Sequence, residues 1–144
     1  MIAVVQRVLS ASVTVDGSVI SSIEQGLLVL LGVEKGDGQA QADKVIKKLA
    51  NLRIFSNDEG KMSLSVKDIS GALLLVSQFT LAGNTDKGNR PDFFNAAPPE
   101  EARALYEYVA AQLAKELPTQ AGIFGADMKV ALVNDGPVTI LVKA

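Results

Sequence analysis

Residues 1–23 of the chain, MIAVVQRVLSASVTVDGSVISSI, contain a tight-turn signal between runs of β-branched residues. Ile2–Leu9 and Ala11–Val15 precede the dipeptide Asp16-Gly17, and Ser18–Ile23 follows it. An Asp-Gly pair in such surroundings favours a β-hairpin, because a type I′ turn needs positive φ at both central residues. The N-terminal segment therefore predicts antiparallel strands.

Apolar runs and one amphipathic segment continue the pattern. Gly26–Val33 is almost wholly apolar, which is typical of a strand buried on both faces. Ala40–Asn51 places its apolar residues on one helical face and its lysines on the other. Ala72–Leu81 is a second apolar strand, which becomes polar at Ser77-Gln78. A second helix is predicted to begin at Pro98-Pro99.

The C-terminal part predicts a return to β-structure. The second helix is expected to bury Ala102, Leu105, Val109 and Leu113 and to end at Pro118. Met128–Val133 and Val138–Val142 predict two strands around an Asn-Asp-Gly-Pro turn, and Arg53–Phe55 a short strand. The whole chain, residues 1–144, is therefore predicted to be a single α+β domain. Its two principal helices would pack on a mainly antiparallel sheet or open barrel.

The composition restricts the chemistry. The chain has no histidine and no cysteine, which excludes a Ser-His-Asp triad, a Cys-His pair, thiolate or histidine-bound zinc, and disulfides. Carboxylate or lysine chemistry, carboxylate-bound Mg²⁺, backbone dipoles and groups supplied by a substrate remain. The paired acids Asp58-Glu59 and Glu100-Glu101 are neighbours in sequence and do not face each other, so they predict no metal site. No nucleotide-binding glycine motif is present, and no cofactor is predicted.

Charge and hydropathy bear on location and partners. The formal net charge is −2, so any surface that binds nucleic acid is expected to be local. No charged segment followed by a long apolar run opens the chain, and no apolar stretch has the length of a membrane span. We expect a soluble, cytoplasmic protein without membrane association.

Three segments are candidates for function. Ser77-Gln78-Phe79-Thr80-Leu81 is either a strand emerging into a loop or one wall of a pocket, in which Gln78 and Thr80 orient a substrate. Asn134-Asp135-Gly136-Pro137-Val138-Thr139 is either a hairpin turn or a rigid backbone element, because a Gly-Pro bond can be cis at low cost. Lys87–Phe94 is either a solvated loop or a mobile basic loop, with Arg90 available for phosphate and an aromatic ring for stacking.

Taken together, these segments resemble the D-aminoacyl-tRNA deacylase family over essentially the whole chain. The N-terminal half resembles it through Gln6-Arg7-Val8, the hairpin and Gly26–Leu30. The Ser77–Leu81 and Asn134–Thr139 segments match two family motifs, and Gly88-Asn89-Arg90-Pro91 also fits. Each motif alone is weak, whereas two of them at this separation are specific.

The resemblance implies a homodimer with its active site at the subunit interface, acting on aminoacyl-tRNA. A cis Gly136-Pro137 segment of one subunit would enter the pocket of the other, and its carbonyls would clash with an L-amino-acid side chain. D-aminoacyl esters and glycyl-tRNA(Ala) would be accepted. Ser77, Gln78, Phe79 and Thr80 would line the pocket, and Arg7 would hold the Gly-Pro loop. The 2′-hydroxyl of the terminal adenosine would assist hydrolysis, while a role for Thr80 as nucleophile stays open.

Two alternatives are compatible with the same residues. One is a tRNA-binding module without catalysis, in which the polar strand ends are structural. The other is an oligomeric enzyme that acts on a small molecule in an interface pocket.

Overall fold

The structure, a computed structural model, describes residues 1–144. Its elements, in chain order, are β1 (Ile2–Val15), β2 (Ser18–Ile23), β3 (Gly26–Gly32), α1 (Gln39–Asn51), β4 (Phe55–Ser56), β5 (Met62–Leu64), β6 (Ala72–Ser77), a 3₁₀ helix (Phe79–Ala82), α2 (Pro99–Ala114), β7 (Thr119–Ala121) and β8 (Lys129–Lys143). Neither helix is long and apolar enough to cross a membrane.

The main sheet is mixed. Its strands follow the order β2-β1-β3-β6-β7, and β8 pairs with the other edge of β1. All partners of β1 are antiparallel, as predicted, but β3, β6 and β7 are mutually parallel. They are parallel because helical crossovers, α1 and then α2, return the chain to the same end of the sheet. Ser21 Oγ donates to the Ala121 carbonyl at 2.6 Å, so β2 meets β7 and the sheet is nearly a closed barrel.

The predicted hairpin is confirmed. β1 and β2 pair antiparallel across a turn in which Asp16 and Gly17 have φ of 49° and 79°. The two runs predicted before this turn form one continuous strand, β1.

The predicted C-terminal hairpin is wrong. β8 is one strand, and both of its halves pair antiparallel with β1. Gln6 pairs with Thr139 and Val8 pairs with Asn134, so residues 135–138 bulge out opposite the single residue Arg7. The turn residues thus produce a bulge and no reversal, because the segments on either side of them remain bonded to the same strand.

Several element boundaries also differ from prediction. β6 ends at Ser77 instead of Leu81, because the chain turns into the 3₁₀ helix after the last bond to β3, in which the Gln78 backbone N–H donates to the Leu31 carbonyl at 2.8 Å. The short strand predicted at Arg53–Phe55 is β4, at Phe55–Ser56. β7 was not predicted, since only one of its three residues is apolar. α2 ends at Ala114, four residues before Pro118.

The core lies on both faces of the central strands. Successive strand residues point to opposite faces, so Leu27 and Leu73 join the cluster that includes α1 and α2, while Leu28 and Leu74 join a second cluster with β1 and β2. The burial of both faces of β3 is thereby confirmed. α2 buries Tyr106 in addition to the predicted Ala102, Val109 and Leu113, whereas the predicted Leu105 is only partly buried.

Candidate functional site

A cavity of about 720 Å³ opens where β6 ends. A site at the carboxyl ends of parallel strands is where open α/β sheets commonly bind ligands, and the volume suits a small organic ligand. Its walls come from the end of β6, from the segment that leads into α2, and from the loop after β7. The lining residues are Lys35, Val76, Ser77, Gln78, Phe79, Phe93, Ala96, Ala97, Pro98, Pro99, Ala102, Phe124, Gly125, Ala126, Asp127, Met128 and Val130.

The Ser77–Leu81 segment forms one wall of this cavity. Ser77, Gln78 and Phe79 line it directly. The Phe79 ring is 58% exposed and packs edge to face against Phe93, with the ring centroids 5.1 Å apart. Gln78 Nε2 donates to Thr80 Oγ1, and Thr80 itself is exposed and lies outside the lining residues. The geometry therefore gives Gln78 and Phe79 direct access to a ligand and places Thr80 beside them.

Tyr106 holds another wall of the cavity in place, the loop after β7. Its hydroxyl lies 2.8 Å from the Leu75 carbonyl and 3.1 Å from the Gly122 carbonyl, so it bridges β6 and the loop after β7. Burial raises the pKa of Tyr106 to about 12, which keeps the hydroxyl a neutral donor. The ring lies 6.0 Å from that of Phe124, which lines the cavity. Tyr106 thus holds the Phe124 loop at a fixed distance from β6.

Tyr106 and the Phe124–Met128 segment were not predicted from the sequence to be part of the site. The signal available for the latter was an aromatic residue between two glycines, Gly122 and Gly125, in a loop between β-rich segments. A periodic pattern of apolar residues cannot predict that such a loop packs against the end of β6, which lies some fifty residues earlier in the chain.

The bulge in β8 forms a second ordered element. The Arg7 guanidinium donates from Nε to the Asp135 carbonyl at 2.9 Å and from Nη1 to the Ile54 carbonyl at 2.8 Å. Asn134 closes the loop, since its Oδ1 accepts from the Val138 N–H at 2.8 Å and its Nδ2 donates to the Val138 carbonyl at 3.2 Å. Within this frame the Gly136–Pro137 peptide bond is cis, and both residues are exposed.

Within one chain the bulge of β8 does not reach the cavity at the end of β6. Arg7, Gly136 and Pro137 are absent from the cavity lining. Arg90 is exposed on the loop between the 3₁₀ helix and α2 and does not line the cavity either. The structure therefore brings Ser77, Gln78 and Phe79 together, keeps Thr80 next to them, and leaves the remaining predicted residues elsewhere.

The cavity favours binding and orientation over acid–base catalysis. Its walls are mainly apolar and aromatic, with one amide and one hydroxyl at the end of β6. Lys35, which also lines it, stacks on Phe94 with Nζ 3.5 Å from the ring centroid. Asp127 pairs with Lys129 at 3.0 Å on the exposed rim. Nowhere in the chain do three acidic side chains gather in a group that could hold a metal ion.

Comparison with known proteins identifies the family. Residues 4–143 match the model of the D-Tyr-tRNA(Tyr) deacylase family. The chain is 59% identical over 144 residues to a D-aminoacyl-tRNA deacylase of Pelobacter propionicus, covering 99% of both chains. It is 60% identical over 141 residues to a D-aminoacyl-tRNA deacylase of Ruegeria pomeroyi, covering 97% of both chains.

Two solved structures resemble the fold. A c-Myc DNA unwinding element binding protein superimposes with a TM-score of 0.95 at 46% identity, covering 100% of this chain and 99% of the other. A probable eukaryotic D-amino acid tRNA deacylase superimposes with a TM-score of 0.84 over 99% of this chain and 98% of the other, and its 14% identity makes this a likeness of fold alone. The family match over residues 4–143 and the identity with curated relatives over nearly the full length show that this chain belongs to the D-Tyr-tRNA(Tyr) deacylase family, a family of hydrolases.

Proposed function

We propose that the enzyme hydrolyses the ester bond of D-aminoacyl-tRNA and releases the D-amino acid and free tRNA. The observation that carries the proposal is the placement of the Ser77-Gln78-Phe79 segment on a cavity of about 720 Å³ in a chain of this family. Aromatic walls such as Phe79, Phe93 and Phe124 suit an adenine ring or an aromatic amino-acid side chain. Because tRNA is the proposed substrate, we expect the enzyme to act in the cytoplasm.

The proposed active site is completed by a second copy of the chain. Gly136 and Pro137 are exposed and lie outside the cavity of their own chain. β8, which carries them, pairs only with β1, so its other edge is free. Exposed apolar side chains follow the same strand, Val133 at 52% and Leu141 at 61%. An unpaired edge with apolar side chains favours association, and a twofold dimer would let each subunit insert Gly136-Pro137 into its partner's cavity.

Chiral selectivity would come from the backbone of that inserted segment. Arg7 and Asn134 hold the bulge through side-chain hydrogen bonds, so its carbonyls have fixed directions. Fixed carbonyls can exclude the side chain of an L-amino acid by collision while leaving room for a D-amino acid or for glycine, as in glycyl-tRNA(Ala). Such exclusion requires rigidity and no ionisable group, in agreement with the absence of histidine and cysteine.

Hydrolysis would depend on the substrate for its proton acceptor. Water adds to the ester carbonyl and the bond to the adenosine 3′-oxygen breaks, giving a carboxylic acid and a free hydroxyl. We propose that the neighbouring 2′-hydroxyl of the terminal adenosine assists the attacking water. Backbone N–H donors at the cavity would stabilise the oxyanion. Thr80 has Gln78 as its hydrogen-bond partner, and an amide cannot serve as a base for it.

The decisive experiment compares D-Tyr-tRNA with L-Tyr-tRNA. Release of tyrosine from the D form alone is expected, and equal rates or no release from the D form would refute the proposal. A variant with one glycine inserted before Gly136 tests the origin of selectivity, since a displaced turn should relax discrimination. Unchanged discrimination would argue against exclusion by backbone carbonyls.

A tRNA-binding module without catalysis is the second candidate. The observation in its favour is that the 46% identical solved structure is named as a nucleic-acid-binding protein. Retention of deacylated tRNA without turnover of D-Tyr-tRNA would support this candidate and exclude the first.

A further inference from the structure

We propose that a second, basic groove binds the phosphate backbone of the tRNA whose 3′ end occupies the cavity. The groove has a volume of about 630 Å³ and lies between the second half of α1 and the end of β8. This inference rests on the proposed function, because it assigns to the groove a part of the same substrate. Its five cationic side chains, here called the basic groove, are Lys44, Lys47, Lys48, Arg53 and Lys143.

The cations of the basic groove are only weakly balanced by the chain itself: none has a carboxylate within ion-pair distance. The pKa of the Asp68 carboxyl is lowered mainly by hydrogen bonds from Ser65, and Arg53 helps to lower it from farther away. No Asp or Glu lines the groove. The ion pairs of the chain lie elsewhere and involve the ammonium of Met1 and the side chains of Arg7, Lys61, Lys67 and Lys129. The four lysines are exposed, and Arg53 is held by a hydrogen bond from Nε to the Ser63 carbonyl at 2.6 Å.

This arrangement is unfavourable without an external anion. Lys44 is three residues from Lys47 and four from Lys48, so these side chains are neighbours on one helix face and repel each other. The chain as a whole has a net charge of −2, yet five of its fourteen lysines and arginines line this one groove. A polyanion with regularly spaced charges relieves the repulsion at several positions at once, and an RNA backbone is such a polyanion.

The basic groove lies close to the bulge of β8. Ile54 follows Arg53 directly, and its carbonyl accepts from the same Arg7 guanidinium that holds Asp135 in the bulge. Along β8, Val142 in the groove is four residues from Val138 at the end of the bulge, or about 13 Å of extended chain. If the bulge enters the partner's cavity, the basic groove of one subunit flanks the cavity mouth of the other. A tRNA with its 3′ end in that mouth then passes its phosphates along the groove.

The test compares Lys44→Ala/Lys47→Ala with the control Lys61→Ala/Lys115→Ala, which removes the same charge from exposed positions outside the groove. Three quantities are measured: hydrolysis of D-Tyr-tRNA, hydrolysis of 3′-O-D-tyrosyl-adenosine, and binding of uncharged tRNA as a function of salt. For the groove variant, KM for D-Tyr-tRNA should rise about fivefold with kcat unchanged. The slope of log K against log salt should fall by about 2. Hydrolysis of the adenosine ester should not change.

Other results would overturn the inference. The first is that the groove variant binds tRNA like the wild type and with the same salt slope. The second is that the control variant weakens tRNA binding as much as the groove variant does. The third is that the groove variant also hydrolyses the adenosine ester more slowly, which would mean that the lysines act on the cavity. Groove-dependent binding to phosphatidylserine vesicles with unchanged tRNA binding would identify a lipid surface instead. If the wild-type enzyme released no D-tyrosine from either substrate, the proposed function would fail, while tRNA binding would still decide the role of the groove.

Discussion

Replacement of Arg7 tests how much this side chain, one of the two that hold the bulge in β8, contributes to fixing it. Arg7 is the residue of β1 that faces the bulge, and its side chain is only 12% exposed. It donates to the carbonyls of Ile54 and Asp135, at 2.8 and 2.9 Å. Arg7→Ala removes both hydrogen bonds and leaves two carbonyls without their donor.

The size of the effect follows from these two bonds. A hydrogen bond from a charged donor contributes about 1.5 kcal/mol net, so Arg7→Ala should lower the free energy of unfolding by about 3 kcal/mol. For a domain of this length that corresponds to a fall in Tm of roughly 6–12 °C. Arg7→Lys keeps the charge but can reach only one of the two carbonyls, so about half of this loss is expected.

Thermal unfolding and paired rate measurements check the prediction. The ratio of the hydrolysis rates of D-Tyr-tRNA and L-Tyr-tRNA should fall at least about tenfold in Arg7→Ala, which corresponds to about 1.4 kcal/mol of lost discrimination. The melting temperature and the rate ratio of Arg7→Lys should both lie between those of Arg7→Ala and the wild type. An Arg7→Ala variant that melts at the wild-type temperature and keeps the wild-type preference for D-Tyr-tRNA would show that Arg7 does not hold the bulge.

Three further predictions concern the cavity and the sheet. Thr80→Ala should keep hydrolysis of D-Tyr-tRNA within about tenfold of wild type, because the substrate hydroxyl assists the water; a folded variant with no activity would show that Thr80 takes part in the chemistry. Because its pKa is raised from 10.0 to about 12, Tyr106 stabilises the fold fully below pH 10 and loses this contribution as the pH rises towards 12. Urea unfolding should therefore show wild type losing about 2 kcal/mol more than Tyr106→Phe between these pH values, and equal losses would contradict the assignment. Gly26→Ala should destabilise the fold by at least about 3 kcal/mol, since its Cβ would lie 1.8 Å from the Ala72 carbonyl oxygen in the parallel pair of β3 and β6. In the comparison variant Gly17→Ala the Cβ meets nothing within 4 Å, so only the strain of φ +79° remains, which should cost about 1–2 kcal/mol; a loss in Gly26→Ala no larger than that of Gly17→Ala would contradict the steric explanation.

The elements that the sequence predicted correctly are those with strong local signals. The Asp16-Gly17 turn forms because few other residue pairs accept positive φ twice. α1 forms at Gln39–Asn51, close to the predicted Ala40–Asn51, because its apolar residues recur at helical spacing. β3 is buried on both faces, as its continuous apolar run indicates.

The elements that were predicted wrongly are those that depend on distant partners. Asn134–Pro137 has the composition of a hairpin turn, but the segments on both sides pair with β1, and a hydrogen-bonding partner cannot be identified from local composition. β6 stops at Ser77 because its pairing with β3 ends there, and the last bond joins Gln78 to Leu31, forty-seven residues earlier in the chain. β7, with three residues, exists because β6 offers it a parallel edge.

By itself the sequence determined the chemistry that is available. The absence of histidine and cysteine leaves carboxylate and lysine groups, backbone dipoles and groups of the substrate. The resemblance to the family adds the expectation that selectivity comes from backbone carbonyls and that the substrate assists hydrolysis. The sequence also marked Ser77, Gln78 and Phe79 as part of one candidate functional segment. Only the tertiary structure placed Phe124 and Tyr106 around that segment and separated it from Gly136 and Pro137. It did so because strand pairing and core packing join residues that are far apart in the chain, and local patterns contain no information about those contacts.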